Sequence, residues 1–504
     1  MLLADVVRHA AQWHGDSVAV VCGPMRLTYR QLIDRGMRLA TALTEAGCGA
    51  GQRFAVVGDN CHRIIEAYVA AAVSGAVVVP LKATLSAGEL AALLASAGPR
   101  LLLAGEECQD VLRVGGALDR VPVTWWGAGQ RTGYDEMVAR AQPWPSGRMP
   151  TRDGLFALLA TTGSTDHPKL VTVRQEAQVV TAVAELTAFA FPLGVYVQSG
   201  SLLVSSGVGM TVQCMLTGGT QVLVADAVGF PERALAAIAA EHADGARINP
   251  PLLHAAEDGH YRLSSLRYLL QGGYHLNPVH TEALVDLFGP ILIHGYGITE
   301  AGGLATLLPR DYWNGRRLNL DRLRSSGRPL PGVQPEIQDG HAATVSTGTE
   351  GEVVVRTRAL TQGYWRDRQA NKRAFRGGSY HTGDRARLDP DGYLTLAPRE
   401  ESRTGDATTA EGLQQETVLC RHPAVADSAV FVRKLPFAGK RRVVAVVELR
   451  PGRRVGAEEL ATHCRDHLAG PEIPQRIEIV ESLPRNAAGK VLRRQLRRRT
   501  GAGG

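Results

Sequence analysis

Apolar positions along the chain fall into two alternating rhythms. Short β-branched or leucine-rich runs at Phe54–Val57, Val77–Val79, Leu101–Leu103, Leu155–Ala160, Leu202–Val204, Gln221–Val224 and Ile291–Ile293 predict strands. Between them, stretches such as Leu27–Ala46 and Arg233–Ala243 repeat their apolar residues at helical spacing. Strand and helix patterns that alternate in this way predict an α/β architecture with largely parallel sheets. The longest apolar stretch, Ile64 to Leu81, contains Glu66, Ser74, Gly75 and Pro80, so it reads as a buried helix running into a strand and not as a membrane span.

The texture changes from about Gly327 to Leu396, where short strands (EVVVRT, GYLTLA) alternate with Gly/Pro/Asp turns and predict a β-rich subdomain. A polar, turn-rich stretch follows Arg399. The compact segment after it has expected strands at Ser428–Val432 and Val443–Glu448 and an expected helix at Ala457–His467. We place a boundary near Pro398. The expected fold is therefore α/β: a large N-terminal domain of stacked mixed sheets with helices and a β-rich subdomain, residues 1–397, then a small α+β domain, residues 398–504. The last residues, RRQLRRRTGAGG, read as a frayed basic tail.

Composition adds little to this picture except for the lysines. The chain has 504 residues, 44% hydrophobic and 21% charged, with a formal charge of +7 and a pI of about 9.1. A surplus of that size suits anionic ligands such as nucleotides, but arginine-rich composition gives it by default. Lysine occurs only at Lys82, Lys169, Lys372, Lys434, Lys440 and Lys490, so each one is a candidate for specific chemistry. Seven scattered cysteines include no C-x-x-C pair, which supports neither a zinc site nor a disulfide framework and fits a reducing cytoplasm. The N-terminus lacks a secretory leader pattern, and nothing in the sequence points to nucleic acid.

The sharpest chemical signal is LLATTGSTDHPKL, Leu158 to Leu170. An apolar strand runs into small hydroxyl residues and glycine, then proline and lysine. Glycine lets backbone N–H groups approach an anion, hydroxyls add donors, and Lys169 supplies a point charge for phosphate. The Walker A spacing is absent. Taken alone, the segment is equally compatible with a Ser/Thr-rich surface turn.

Other segments follow in a fixed order. They are Gly295-Tyr296-Gly297-Ile298-Thr299-Glu300, Gly327-Arg328-Pro329-Leu330-Pro331-Gly332, Tyr380-His381-Thr382-Gly383-Asp384, and Pro484-Arg485-Asn486 with Gly489-Lys490. Leu27-Thr28-Tyr29 and Gly75-Ala76-Val77 precede them. With these segments the chain resembles, over essentially its whole length, the adenylate-forming superfamily of acyl-CoA synthetases, peptide-synthetase adenylation domains and luciferases.

The resemblance implies a mobile C-terminal lid and a set of roles. Thr161, Thr162, Gly163, Ser164, Thr165 and Lys169 would hold the β- and γ-phosphates of ATP. Thr299 and Glu300 would sit at the α-phosphate, with Glu300 as a ligand of Mg²⁺, which prefers hard oxygen donors. Asp384 would accept hydrogen bonds from the ribose hydroxyls, and Arg399 would add a nucleotide contact. Gly272, Gly273 and Tyr274 would form the adenine slot, with Tyr296 and Gly297 beside it. Lys490 would stabilise charge on the transferring α-phosphate. Singly, Asp384 could be a turn residue, Glu300 a helix-start carboxylate, Lys490 a solvated lysine and Tyr296 ordinary core; their conjunction outweighs these alternatives.

The implied reaction is attack of a carboxylate on ATP to give an acyl-adenylate and pyrophosphate, then transfer of the acyl group to CoA or to the pantetheine thiol of a carrier protein. Gly207, Val208, Gly209, Met210, Cys214 and Gly302 would line a roomy apolar acyl pocket. That segment lacks the aspartate with which amino-acid-activating relatives pair the substrate ammonium, and an unpaired buried ammonium is costly. A non-amino acid is therefore expected.

Two features depart from the family pattern. Asp166 replaces a glycine in the phosphate loop. After Arg399 the usual G-R-x-x-D-x-I-K-x-x-G pattern gives way to PREESRTGDATTAEG, with Ser402 at the hinge aspartate and Thr404, Gly405, Ala407 and Thr408 at the I-K and glycine positions. The altered loop leaves open two alternatives: a partner ligase completing transfer, or an amine accepting the acyl group.

Overall fold

The computed structural model describes residues 1–127, 133–145, 150–161, 168–190, 193–227, 229–257, 259–274, 276–397, 410–434, 441–486 and 489–499. Among them, the strands gather into sheets of nine, six, five and three. The nine-stranded sheet is parallel from Val18–Cys22 through Thr220–Leu223, Val195–Gln198, Gly245–Arg247 and Tyr268–Gly272 to Leu292–Ile298, and antiparallel at both edges. The six-stranded sheet runs parallel from Val123–Trp126 to Leu155–Ala160 and closes with the antiparallel strand Leu170–Arg174. The β-rich region from Val333 to Leu396 forms the antiparallel five-stranded sheet. The small C-terminal domain is α+β, built on Val425–Lys434, Arg441–Leu449 and Arg476–Val480.

The long apolar stretch becomes a helix, His62–Ser74, and a strand, Val77–Lys82, as expected. The helix is buried on all sides in a core shared with Leu32, Leu39 and Phe156. Its end is set by Gly75, whose φ of 76° terminates the helix in the left-handed conformation. Thr28 starts the helix Tyr29–Glu45 by accepting from the Gln31 N–H, while the Gln31 side chain returns to the Thr28 N–H. Two early segments that match the family pattern thus act as helix punctuation.

Two expectations are corrected. Leu202–Val204 is a turn leading into the helix Ser205–Thr217, not a strand. The Leu202 carbonyl accepts from the Tyr68 hydroxyl at 2.8 Å instead of joining a ladder, and so short an apolar run carries no period of its own. The basic tail does not fray at its start: Arg493–Arg499 is helical, Leu496 is buried, and the Arg493 guanidinium pairs with buried Glu416 and donates to the Val430 carbonyl.

Candidate active site

Ligand sites in parallel sheets form where the carboxyl ends of the strands open. Here three such ends carry motif residues: Thr161 after Leu155–Ala160, Gly273 and Tyr274 after Tyr268–Gly272, and Thr299 and Glu300 after Leu292–Ile298. Thr161 and Lys169 face each other across the mouth of a hairpin, the Thr161 N–H donating to the Lys169 carbonyl at 2.9 Å. Thr162, Gly163, Ser164 and Thr165, with Asp166 between them and Lys169, lie outside the described residues, as does Arg399.

Tyr364 ties Lys169, Glu300 and Tyr380 together. Its hydroxyl donates to Glu300 Oε1 at 2.7 Å and lies 3.1 Å from the Tyr380 hydroxyl. The Lys169 ammonium sits 4.7 Å from the centre of the Tyr364 ring, within cation–π range. The Thr361 N–H donates to the Glu300 carbonyl at 2.9 Å, fixing the turn that carries Thr299 and Glu300. Lys169, Glu300 and Tyr380, widely separated in sequence, thus meet around one tyrosine. None of the segments quoted above contains Tyr364.

The Tyr296 hydroxyl donates to Asp384 Oδ2 at 2.8 Å. Asp384 is oriented by its own turn: its N–H donates to Thr382 Oγ1, whose hydroxyl donates to the Val353 carbonyl. Gly272 pairs with Gly295 on the neighbouring strand, so the segment entering Gly273 and Tyr274 lies against the strand that continues into Tyr296 and Gly297. Arg247 donates to the Gly272 carbonyl and to Ser206 Oγ. Gln271 Nε2 holds the Tyr274 carbonyl at 2.7 Å.

Lys490 comes from the small domain. Its N–H donates to Asn486 Oδ1 at 3.0 Å, the Asn486 N–H donates to the Lys490 carbonyl, and Arg485 donates to the Gly489 carbonyl. Gly489, with φ of 85°, is pressed against the large domain. A Cβ there would lie 2.7 Å from Asn249 Cβ and 3.4 Å from the Tyr274 hydroxyl. Only glycine allows that approach. The loop carrying Lys490 is therefore seated on Asn249 and Tyr274. Asn249 caps the helix Pro250–Glu257 by accepting from the Leu252 N–H; the Asn-Pro dipeptide signals the turn, though not its contact with Gly489.

The acyl-pocket residues divide by helical geometry. Val208 packs into the main core, while Met210 and Cys214 pack with Phe189, Tyr196 and Tyr268. Gly207 faces the Ser201–Leu202 backbone, and Gly302 faces Thr181. Gly209 alone on this helix is buried with nothing within 4 Å of the place a Cβ would take. The spacing of about 100° per residue turns 208, 210 and 214 away from the face that 209 occupies, so their apolar character serves packing.

Among the described residues, His280, Cys420 and Asp427 bring three donor atoms near one another. Asp427 is ion-paired with Arg485, and His280 Nε2 donates to the Ala426 carbonyl at 2.8 Å, so the group acts as a polar joint between the domains.

Residues 7–365 match the model of the AMP-binding enzyme family, and residues 414–490 match that of the AMP-binding enzyme C-terminal domain. A feruloyl-CoA synthase from Amycolatopsis sp is 29% identical over 96% of both chains. A fatty acid–[acyl-carrier-protein] ligase, ScoC of Streptomyces coeruleorubidus, is 29% identical over 99% of this chain and 96% of its own. The amide bond synthetase McbA from Marinactinospora thermotolerans superposes with a TM-score of 0.79 at 28% identity, covering 99% of each chain. The chain belongs to the AMP-binding enzyme family, and it is an AMP-forming, ATP-using ligase of the acyl-CoA synthetase type.

Proposed function

We propose that the enzyme activates an aromatic or related carboxylic acid without an α-ammonium group as its acyl-AMP and passes the acyl group to the thiol of CoA or of a carrier protein. The observation that supports this most directly is the seating of the Lys490 loop on Asn249 and Tyr274. It brings the loop of the small domain's lysine to the end of Tyr268–Gly272, the strand paired with Leu292–Ile298, which leads into Thr299 and Glu300. In this reading Asp384, held by Tyr296, binds the ribose, and Lys169 with the hairpin loop binds the β- and γ-phosphates. The acid's carboxylate oxygen then attacks the α-phosphorus, the bond to the bridging oxygen breaks, and pyrophosphate leaves. Lys490 offsets the charge that builds on the α-phosphate oxygens. Glu300, oriented by Tyr364, presents the hard carboxylate oxygens that Mg²⁺ favours, and Mg²⁺ there would lessen repulsion between the two anionic reactants. The two domains meet near Pro398 in this reading, with the segment after it as the hinge.

Asp384→Ala is expected to leave the fold intact and to weaken ATP binding by about 1.5–3 kcal/mol, roughly 10- to 150-fold in Kd, since it removes a charged acceptor from the ribose. Calorimetry with ATP checks this, and an unchanged Kd would make Asp384 a turn residue only.

The acceptor is tested by single-turnover trapping of acyl-AMP with ATP and a panel of aromatic acids. Addition of CoA is expected to consume the adenylate and yield acyl-CoA, as the relation to feruloyl-CoA synthase suggests. An acyl-AMP that persists with CoA but is consumed by an added amine would assign the chain to amide formation instead, the reading that the likeness to McbA and the altered segment after Arg399 support.

A further inference from the structure

Two helices and a hairpin enclose a polar pair that the adenylation chemistry does not use. Glu185 lies on the helix Gln175–Phe189, one turn beyond Thr181. Gln213 lies on the helix Ser205–Thr217, one turn beyond Gly209 and on the same face. Gln213 Nε2 donates to Glu185 Oε2. Gln213 is 2% exposed, and its Oε1 has no hydrogen-bond partner. Glu185 Oε1 is turned toward the hairpin that follows Glu300, where a Cβ on Gly303 would lie 2.5 Å from it. Beside them the buried Gly209 faces open space. A polar pair of which Gln213 is fully buried and Glu185 half-buried, next to room that no side chain fills, is an arrangement that packing alone does not explain.

We propose that Glu185 and Gln213 form the polar floor of the acyl pocket and select an acid that carries a hydroxyl or N–H donor at the end remote from its carboxylate. The inference rests on the adenylation reading above. Gln213 Nε2 gives one of its two N–H donors to Glu185, while Gln213 Oε1 is the buried atom left without a partner, so the contact the pair lacks is a donor to an oxygen acceptor. A buried acceptor without a donor is costly, and a substrate O–H or N–H removes that cost. An acid with an apolar tail leaves the acceptor bare, which is how a polar pocket rejects an analogue that lacks one group. Burial pushes the Glu185 carboxyl up to about 7, against the opposing pull of Gln213 and Arg247, so the acceptor strength of the floor changes near neutral pH.

The test compares kcat/KM for pyrophosphate release with cinnamic acid and its 2-, 3- and 4-hydroxy derivatives, and with benzoic acid and its three aminobenzoic isomers. The parent enzyme is expected to prefer a 3- or 4-substituted, donor-bearing isomer over its unsubstituted acid by about tenfold or more, and a preference confined to the 2-substituted isomers counts against the assignment. Glu185→Leu and Gln213→Leu should bring the two within about threefold, with unsubstituted acids still turned over. Glu185→Gln keeps the shape and serves where a leucine variant fails to fold. In the parent the donor preference should change between about pH 6 and 8, and in E185Q it should be flat. Equal preference in parent and variants, an equal pH slope in E185Q, or no preference in the parent would overturn the assignment while leaving adenylation standing. If the parent bound ATP yet activated none of these acids, the acid class proposed above would itself be wrong, and the inference would fall with it.

Discussion

Lys490→Ala is expected to reduce pyrophosphate release by about 10²–10³-fold, or about 3–4 kcal/mol of transition-state stabilisation. The position of this side chain is set by its backbone. Asn486 brackets Lys490 with two hydrogen bonds, Arg485 holds the Gly489 carbonyl, and Gly489 rests on Asn249. None of these contacts requires the ammonium group, so the variant should fold, seat its loop and bind ATP with little change. The loss should fall on the chemical step and appear in kcat, with calorimetric ATP affinity preserved. Adenylation within about threefold of the parent would remove Lys490 from the reaction.

Arg485→Leu should be the most damaging change to stability. The Arg485 side chain is 7% exposed and reaches Asp427 at 2.8 Å and Glu448 at 3.1 Å. Burial disfavours the charged form of Asp427, but the guanidinium, with His280, holds its pKa below the usual carboxylate value. Removing the cation leaves two largely buried carboxylates facing each other. Breaking a buried pair from one side typically costs about 3–5 kcal/mol. Urea unfolding of the full chain should show an early transition of the C-terminal domain. Adding Asp427→Asn and Glu448→Gln should recover part of the loss, because the uncompensated charge is its main source. Activity should fall as well, since Arg485 also supports the loop of Lys490. A denaturation midpoint equal to that of the parent would refute this account.

Much of the architecture is legible in the sequence because the strands of parallel sheets are apolar on both faces. Leu155–Ala160 appears as expected, and Phe54–Val57 lies within Arg53–Gly58. The helix Ala457–His467 matches its expected bounds because its apolar positions keep a strict helical period. Leu202–Val204 and the basic tail depart from their sequence patterns for one shared reason: their conformation is decided by distant partners, Tyr68 in one case and Glu416 in the other, which no local pattern records. The same reason separates what could be seen of the site. Motif residues with local geometric duties stand out, such as the glycines and the Asp384 turn. Tyr364, which unites Lys169 with Glu300, and Glu185, which meets Gln213 from another helix, act only through tertiary contact. The pocket positions Met210 and Cys214 drew attention through composition, yet helix phase assigns them to the core.

The joint between the domains also bears on the medium in which the enzyme works. Across it run the Arg450–Glu257 ion pair and the His280 bond to the Ala426 carbonyl, alongside the Gly489 contact. Arg450 and Glu257 both remain partly open to water, at 30% and 25% side-chain exposure. Separating such groups exchanges one set of polar partners for water, at a cost far below that of parting an apolar face of similar extent. Dissolved ions weaken attraction of this kind, with a screening length of about 8 Å at physiological ionic strength. The seating of the small domain is thus tied to the salt around it, and the tempo of any step that unseats it is set partly by the surrounding solution.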